Sequence, residues 1–144
     1  MLLNYTTKVA SAKTVSQIQE ILGAKGACHV SVDYQSGKAT AVTFGLNIGK
    51  NTVHFRLPCN VQGVSAALKK GSQRSGIWRD IPQCERIAWR IVKDWVEAQM
   101  ALVEAQQAEI AEVFLPYAVA PNGETFFQHF KSNQLALGAG EKGE

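Results

Sequence analysis

The stretch Asp80–Glu104, DIPQCERIAWRIVKDWVEAQMALVE, decides the architecture. Asp80 and Gln83 have the spacing of a capping box, and Pro82 falls in the first turn, where its missing N–H costs nothing. At about 100° per residue, Cys84, Ala88, Ile91, Trp95, Ala98 and Leu102 line one side of the helix. Trp89, Val92, Val96, Met100 and Val103 line a second side, roughly 120° away by the same rotation. Only Arg86, Arg90, Lys93, Asp94, Glu97 and Glu104 remain as a narrow polar strip. A surface helix normally carries one apolar stripe, so this one is expected to be covered twice. The first stripe is expected against a sheet. The second is expected against the chain's own C-terminal segments or against another subunit. Gln106 interrupts the first stripe, which predicts a break near 104–107.

The partner sheet is written just upstream. Cys28, Val30, Val32 and Tyr34 alternate with polar residues, as do Thr40 to Ile48 and Val53 to Leu57. Gln35-Ser36-Gly37-Lys38 and Gly49-Lys50-Asn51 are turn sequences, so three antiparallel strands with one buried face are expected. Ser31, Asp33, Thr43, Thr52, His54 and Arg56 would form the polar face, and Pro58 would end the pairing. Before the sheet, NYTTKV (4–9) reads as a short fourth strand. Thr14 and Gln17 read as the capping box of a helix over 14–25 ended by Gly26. After it, Asn60 can cap a helix reaching Lys70. Ile110, Ala111 and Phe114 continue a helical rhythm to Pro116, Asn122-Gly123 marks a turn, and Phe126, Phe127 and Phe130 are expected to dock a last element. The fold class is α+β: a three- to four-stranded antiparallel sheet packed by helices, with one long central C-terminal helix. Residues 1–131 form one domain, and 132–144 a flexible tail.

Composition excludes several classes. The apolar fraction of 46% and charged fraction of 19% in 144 residues are those of one globular domain, not of a disordered chain. No apolar run approaches the ~18 residues needed to span a bilayer, so no membrane partner is expected. The opening MLLNYTTKVASAK lacks a basic region followed by an apolar one, so no signal peptide is expected. Cys28, Cys59 and Cys84 are odd in number and make no CxxC, which predicts buried thiols in a reducing compartment. His29, His54 and His129 are scattered, read as single solvated side chains, and predict no metal site. No nucleophile elbow, GxGxxG or P-loop is present. Asp33, Asp80 and Asp94 are explained by a strand face, a cap and a helix surface. No catalytic residues and no cofactor are expected.

What remains is cationic and aromatic. Lys69, Lys70, Arg74 and Arg79 surround Trp78 in a loop, Arg56 projects from the polar sheet face, and Arg86, Arg90 and Lys93 line the helix strip. Guanidinium groups that fork onto phosphate oxygens, beside a ring on which a base can stack, are what a nucleotide or nucleic-acid site requires. Against this stands a solvated helix face, with Arg90 and Asp94 as an i,i+4 ion pair. Arg56, Trp78, Arg79, Trp89, Arg90 and Lys93 are the candidate ligand-binding residues. The order helix, three strands, helix is also that of double-stranded-RNA-binding domains, but their lysine cluster opens the second helix, whereas Lys69 and Lys70 close it here.

FRLPCN (55–60), AWRIVKDWVEAQMAL (88–102) and EVFLPY (112–117), with NYTTKV and KTVSQIQEIL near the start, resemble a family of small phage and prophage proteins of gut and related bacteria. The similarity spans most of the chain outside the 71–80 loop and the tail. It implies a viral accessory protein in the cytoplasm of a bacterial host and carries over no catalytic residue. The first expectation is a non-enzymatic protein that sequesters a phosphate-bearing nucleotide, such as a host-defence signal, as a homo-oligomer. Arg56, Arg90 and Lys93 would meet the phosphates, and Trp78 or Trp89 a base. The alternatives are a DNA- or RNA-binding factor using the 69–79 loop, and a protein inhibitor of a host enzyme.

Overall fold

The computed structural model describes residues 1–71 and 73–133. Helix α1 (Ser11–Ala24) leads into strands β1 (His29–Gln35), β2 (Lys38–Ile48) and β3 (Asn51–Pro58). Helix α2 (Val61–Gly71) and two 3₁₀ turns (Gln73–Ser75, Ile77–Arg79) lead to α3 (Ile81–Glu104). A short α4 (Ile110–Phe114), a 3₁₀ turn (Leu115–Tyr117) and α5 (Phe126–Asn133) follow. The class is α+β as expected, with α3 as the long central helix, although α4 and α5 come after it. Residues 134–144 of the expected tail lie outside the described residues, while Ser132 and Asn133 close α5.

The sheet is a three-stranded antiparallel meander in the order β1-β2-β3. Ser36 and Gly37 both take positive φ (51° and 78°) in the first two-residue turn, as a type I′ hairpin demands. Val42, Phe44, Leu46, Phe55 and Leu57 are all at most 5% exposed and form the inner face. Tyr34, Ile48 and Cys28, expected inside, are exposed. The register shifts between Asp33 and Tyr34, a bulge that breaks the alternation and leaves Tyr34 66% exposed. Ile48, at the strand's end, is 40% exposed. The expected N-terminal strand is instead a turn, with Tyr5 N donating to Leu2 O at 3.2 Å and Thr7 N to Asn4 O at 3.0 Å. The carbonyls of Tyr5 and Thr7 are taken by Gln83 Nε2 (3.1 and 2.9 Å), so they have no sheet to join. The capping box at α3 is half-made. Asp80 Oδ1 accepts from Gln83 N at 3.1 Å, but Gln83 Oε1, which would make the return arm, accepts from Arg86 Nε at 2.7 Å, and Asp80 N donates to Ile77 O.

Helix α1 begins three residues before the expected cap, from Ala10, which offers no side-chain cap. Thr14 is instead fully buried. Gly26, at φ +108°, ends the helix as expected. Asn60 caps α2 through Gly63 N at 2.9 Å, also as expected.

The two stripes of α3 exchange the roles expected of them. Trp89, Val96 and Met100 (1%, 0% and 2% exposed) pack with Val15, Ile18 and Leu22 of α1 and with the sheet in the main core. Cys84 and Ala88 of the other stripe, with Ile87, pack on Val64 and Leu68 of α2 in a second cluster. That stripe then meets Phe114 and Tyr117 edge-on through Trp95 (5.4 and 5.3 Å between ring centroids) and runs out at Leu102, 39% exposed. Tryptophan and methionine bury more surface than cysteine and alanine, so the heavier stripe fills the space between α1 and the sheet. The stripe that suggested a subunit interface is closed within the chain.

The break after α3 falls at Gln106, which takes φ +62°. Glu109 and Glu112 form a reciprocal capping box for α4, and Phe114 inserts edge-on against Phe44 at 5.3 Å. The chain then touches the outer edge of β3, where Val119 N donates to His54 O at 2.8 Å. Gly123 (φ +87°) turns it into α5. The phenylalanines expected to dock stay outside: Phe126 and Phe127 are 53% and 52% exposed.

Candidate nucleic-acid interface

Helix α2 carries no acidic residue and ends in Lys69 and Lys70, so two cations gather at its negative pole. The chain returns through Gly76 (φ +68°) into the Ile77–Arg79 turn, with Arg79 N on Gly76 O at 3.0 Å. Ile77 and Trp78 pack on the α2/α3 cluster, and Ser65 Oγ donates to Trp78 O at 2.8 Å. The indole is thus anchored and half-buried, its position fixed by the core beneath it. Over its ring lie Lys69 Nζ at 4.7 Å and the Arg79 guanidinium at 4.6 Å, both cation–π contacts. Lys69, Lys70, Arg74 and Arg79 are exposed, and none forms an ion pair among the described residues.

Several other cations are spent on structure. Lys25 pairs with Glu104, Lys38 with Glu85 at 3.5 Å, and Lys93 with Glu97 at 2.7 Å. Arg90 Nη1 donates to Gln17 Oε1 at 2.7 Å, while Asp94 accepts from Asn4 Nδ2 at 2.8 Å, so the expected Arg90–Asp94 pair does not form. Arg56 Nη2 donates to Gly123 O at 2.8 Å. Of the six candidates, Trp78 and Arg79 come together, and Lys69 joins them over the indole ring. Trp89 lies in the core and offers no face to a base. Arg90 and Lys93 lie three residues apart on α3 and Arg56 on the polar face of the sheet, each with a partner of its own.

A cleft of about 280 Å³ lies between α1, the β1–β2 hairpin and α3, lined by Val15, Gln19, Tyr34, Lys38, Glu85 and Trp89. Its chemistry is that of one closed ion pair on an apolar floor. Nearby, burial and then the Glu85 charge push the Cys59 thiol up to about 12, so it is no nucleophile at neutral pH. Burial and the Asp80 charge raise Cys84 as well. Cys28, expected to be buried, is exposed. Among the described residues no three His, Cys, Asp or Glu side chains are grouped to hold a metal, and no helix is long and apolar enough to cross a membrane. Comparison with protein-family models, with curated proteins and with solved structures finds no match to this chain.

Proposed function

We propose that this chain is a non-enzymatic accessory binding protein, of the phage type its sequence resembles, that takes the phosphate backbone of a nucleic acid on the 69–79 segment. One observation carries the reading: Lys69 and Arg79 lie over the ring of a tryptophan held in place by the α2/α3 cluster, and Lys70 and Arg74 are exposed in the same segment. A single strand suits it best. Lysine and arginine meet successive phosphates, and a base that stacks on the indole without reading sequence would displace Lys69 or Arg79 from its ring. The small-nucleotide alternative needs Arg56, Arg90 and Lys93 to converge, and each of these already has a partner.

The test is fluorescence anisotropy with labelled single-stranded and duplex DNA and RNA oligonucleotides across a salt series. Four phosphate contacts predict a loss of about fifty-fold in affinity between 50 and 200 mM salt for a single strand. Lys69→Ala/Lys70→Ala/Arg79→Ala should weaken binding at least tenfold with the fold intact by circular dichroism. Absence of any complex at low salt refutes the reading. So does calorimetric binding of a cyclic dinucleotide that the triple variant retains, which moves the ligand to another site.

A further inference from the structure

On the open face of the sheet, His29 pairs with Gly45 and Gly45 with His54, so the three residues form one row across three strands. Strands spaced ~4.8 Å apart put the two histidine backbones about 10 Å from each other. Their rings nonetheless lean together over the glycine, with centroids 5.9 Å apart and planes at 80°. Glycine in mid-strand is unfavourable by about 0.5–1 kcal/mol relative to alanine, which calls for a local reason. Here the reason is space. A Cβ on Gly45 would stand 3.4 Å from His54 Cδ2 and Nε2 and 3.2 Å from Thr52 Cγ2. Other polar groups of this face are engaged: Thr52 with Asn47 at 2.8 Å, Thr43 with Asp33 at 3.5 Å, and Arg56 with Gly123. The two imidazoles are exposed and have no hydrogen-bond partner among the described residues.

We propose that His29 and His54 form a two-imidazole site for a borderline transition-metal cation (Cu²⁺, Ni²⁺ or Zn²⁺), with water completing the coordination. Two imidazole nitrogens each about 2 Å from one ion place their ring centroids roughly 5–6 Å apart for coordination angles between tetrahedral and somewhat wider. The observed 5.9 Å lies in that range, so binding needs ring rotation and no movement of the sheet. No third protein ligand joins the pair among the described residues, which makes the site open and exchangeable, unlike a closed structural zinc site. Imidazole ligands select against Ca²⁺ and Mg²⁺, and the intrinsic order of affinities puts Cu²⁺ first.

The experiment uses the full chain without a histidine tag, stripped with chelator and titrated with Ni²⁺ and Cu²⁺ in a weakly coordinating buffer. Calorimetry and the d–d absorption of Cu²⁺ report stoichiometry and ligand type. One ion per chain is expected, with the Kd raised at least tenfold by His29→Gln or His54→Gln and unchanged by His129→Gln. The metal should also raise Tm in the parent chain and not in the double variant. Exposed side chains are being changed, and circular dichroism checks that each variant is folded. No saturable binding below about 1 mM ion overturns the proposal, and so does equal binding by His29→Gln/His54→Gln.

Discussion

Arg90 Nη1 donates to Gln17 Oε1 at 2.7 Å and reaches Thr14 Oγ1 at 3.5 Å, tying α3 to α1 along the margin of the main core. Thr14 is fully buried, so this is a contact between packed helices and no free cation waits there for a phosphate. Arg90→Ala is expected to lower unfolding free energy by about 1–3 kcal/mol, the worth of a hydrogen bond to a charged donor. Affinity for single-stranded DNA should stay within twofold of the parent. Urea denaturation and anisotropy on the same sample separate the two roles, and a tenfold loss of nucleic-acid affinity would return Arg90 to the binding site.

Trp89 and Leu102 test which stripe of α3 holds the core. Trp89→Ala empties a site that is 1% exposed and is expected to cost about 3–5 kcal/mol. Leu102→Ala, at a position 39% exposed, should stay within about 0.5 kcal/mol. Denaturant midpoints decide the matter. Similar losses at both positions would mean that the Leu102 end is covered by something outside the chain.

The periodicities that fixed the strands and helices were legible because alternation and the 3.6-residue repeat are local properties. Gly26, Asn60, Asp80 and Gln106 marked helix ends correctly, each through its own backbone or side-chain chemistry. Which way α3 rolls was not legible, because both stripes are apolar and the outcome depends on where α1 and α2 arrive. Gln83 misled because its sequence spacing suits a cap, but its Oε1 accepts from Arg86 Nε while its Nε2 donates to Tyr5 and Thr7, in a segment 76 and more residues away. The basic cluster was readable from the residues around Trp78, since sequence neighbours stayed neighbours. The row of His29, Gly45 and His54 was not, because it exists only once the register of three strands is set. Alternation alone left those histidines as separate solvated side chains.

The cysteines give a pH-dependent prediction with a definite sign. Cys59 ionises near 9.0 when unfolded and is pushed up to about 12 in the fold, chiefly by burial and then by Glu85. The folded state therefore keeps a proton that the unfolded chain loses. Stability from this group is fully present below about pH 9 and declines as pH rises toward 12. Cys59→Ala should flatten that alkaline decline in a series of urea melts. In the native protein at pH 8 a thiol reagent should modify the exposed Cys28 first, with Cys59 and Cys84 reacting only after denaturation. Three thiols reacting at one rate in the native state would contradict this.

Arg56 belongs to the polar sheet face, and its guanidinium holds the C-terminal turn by donating to Gly123 O at 2.8 Å. The turn has other ties: Val119 N to His54 O at 2.8 Å, and Thr125 N to Gln128 Oε1 at 2.8 Å. Phe126 and Phe127 add little burial, so this segment rests on a few hydrogen bonds and should open without unfolding the rest. Arg56→Ala removes that bond and a longer one to Gln128 Oε1 at 3.5 Å, which weakens local closure by about 1 kcal/mol and speeds amide exchange roughly fivefold. Hydrogen exchange read by mass spectrometry should show that acceleration in peptides covering 118–128 and unchanged protection in α3. The urea midpoint should hardly move, because the main core does not include this turn. Exchange in 118–128 that matches the parent would show that Arg56 does not hold the turn, and would leave its charge available to a ligand after all.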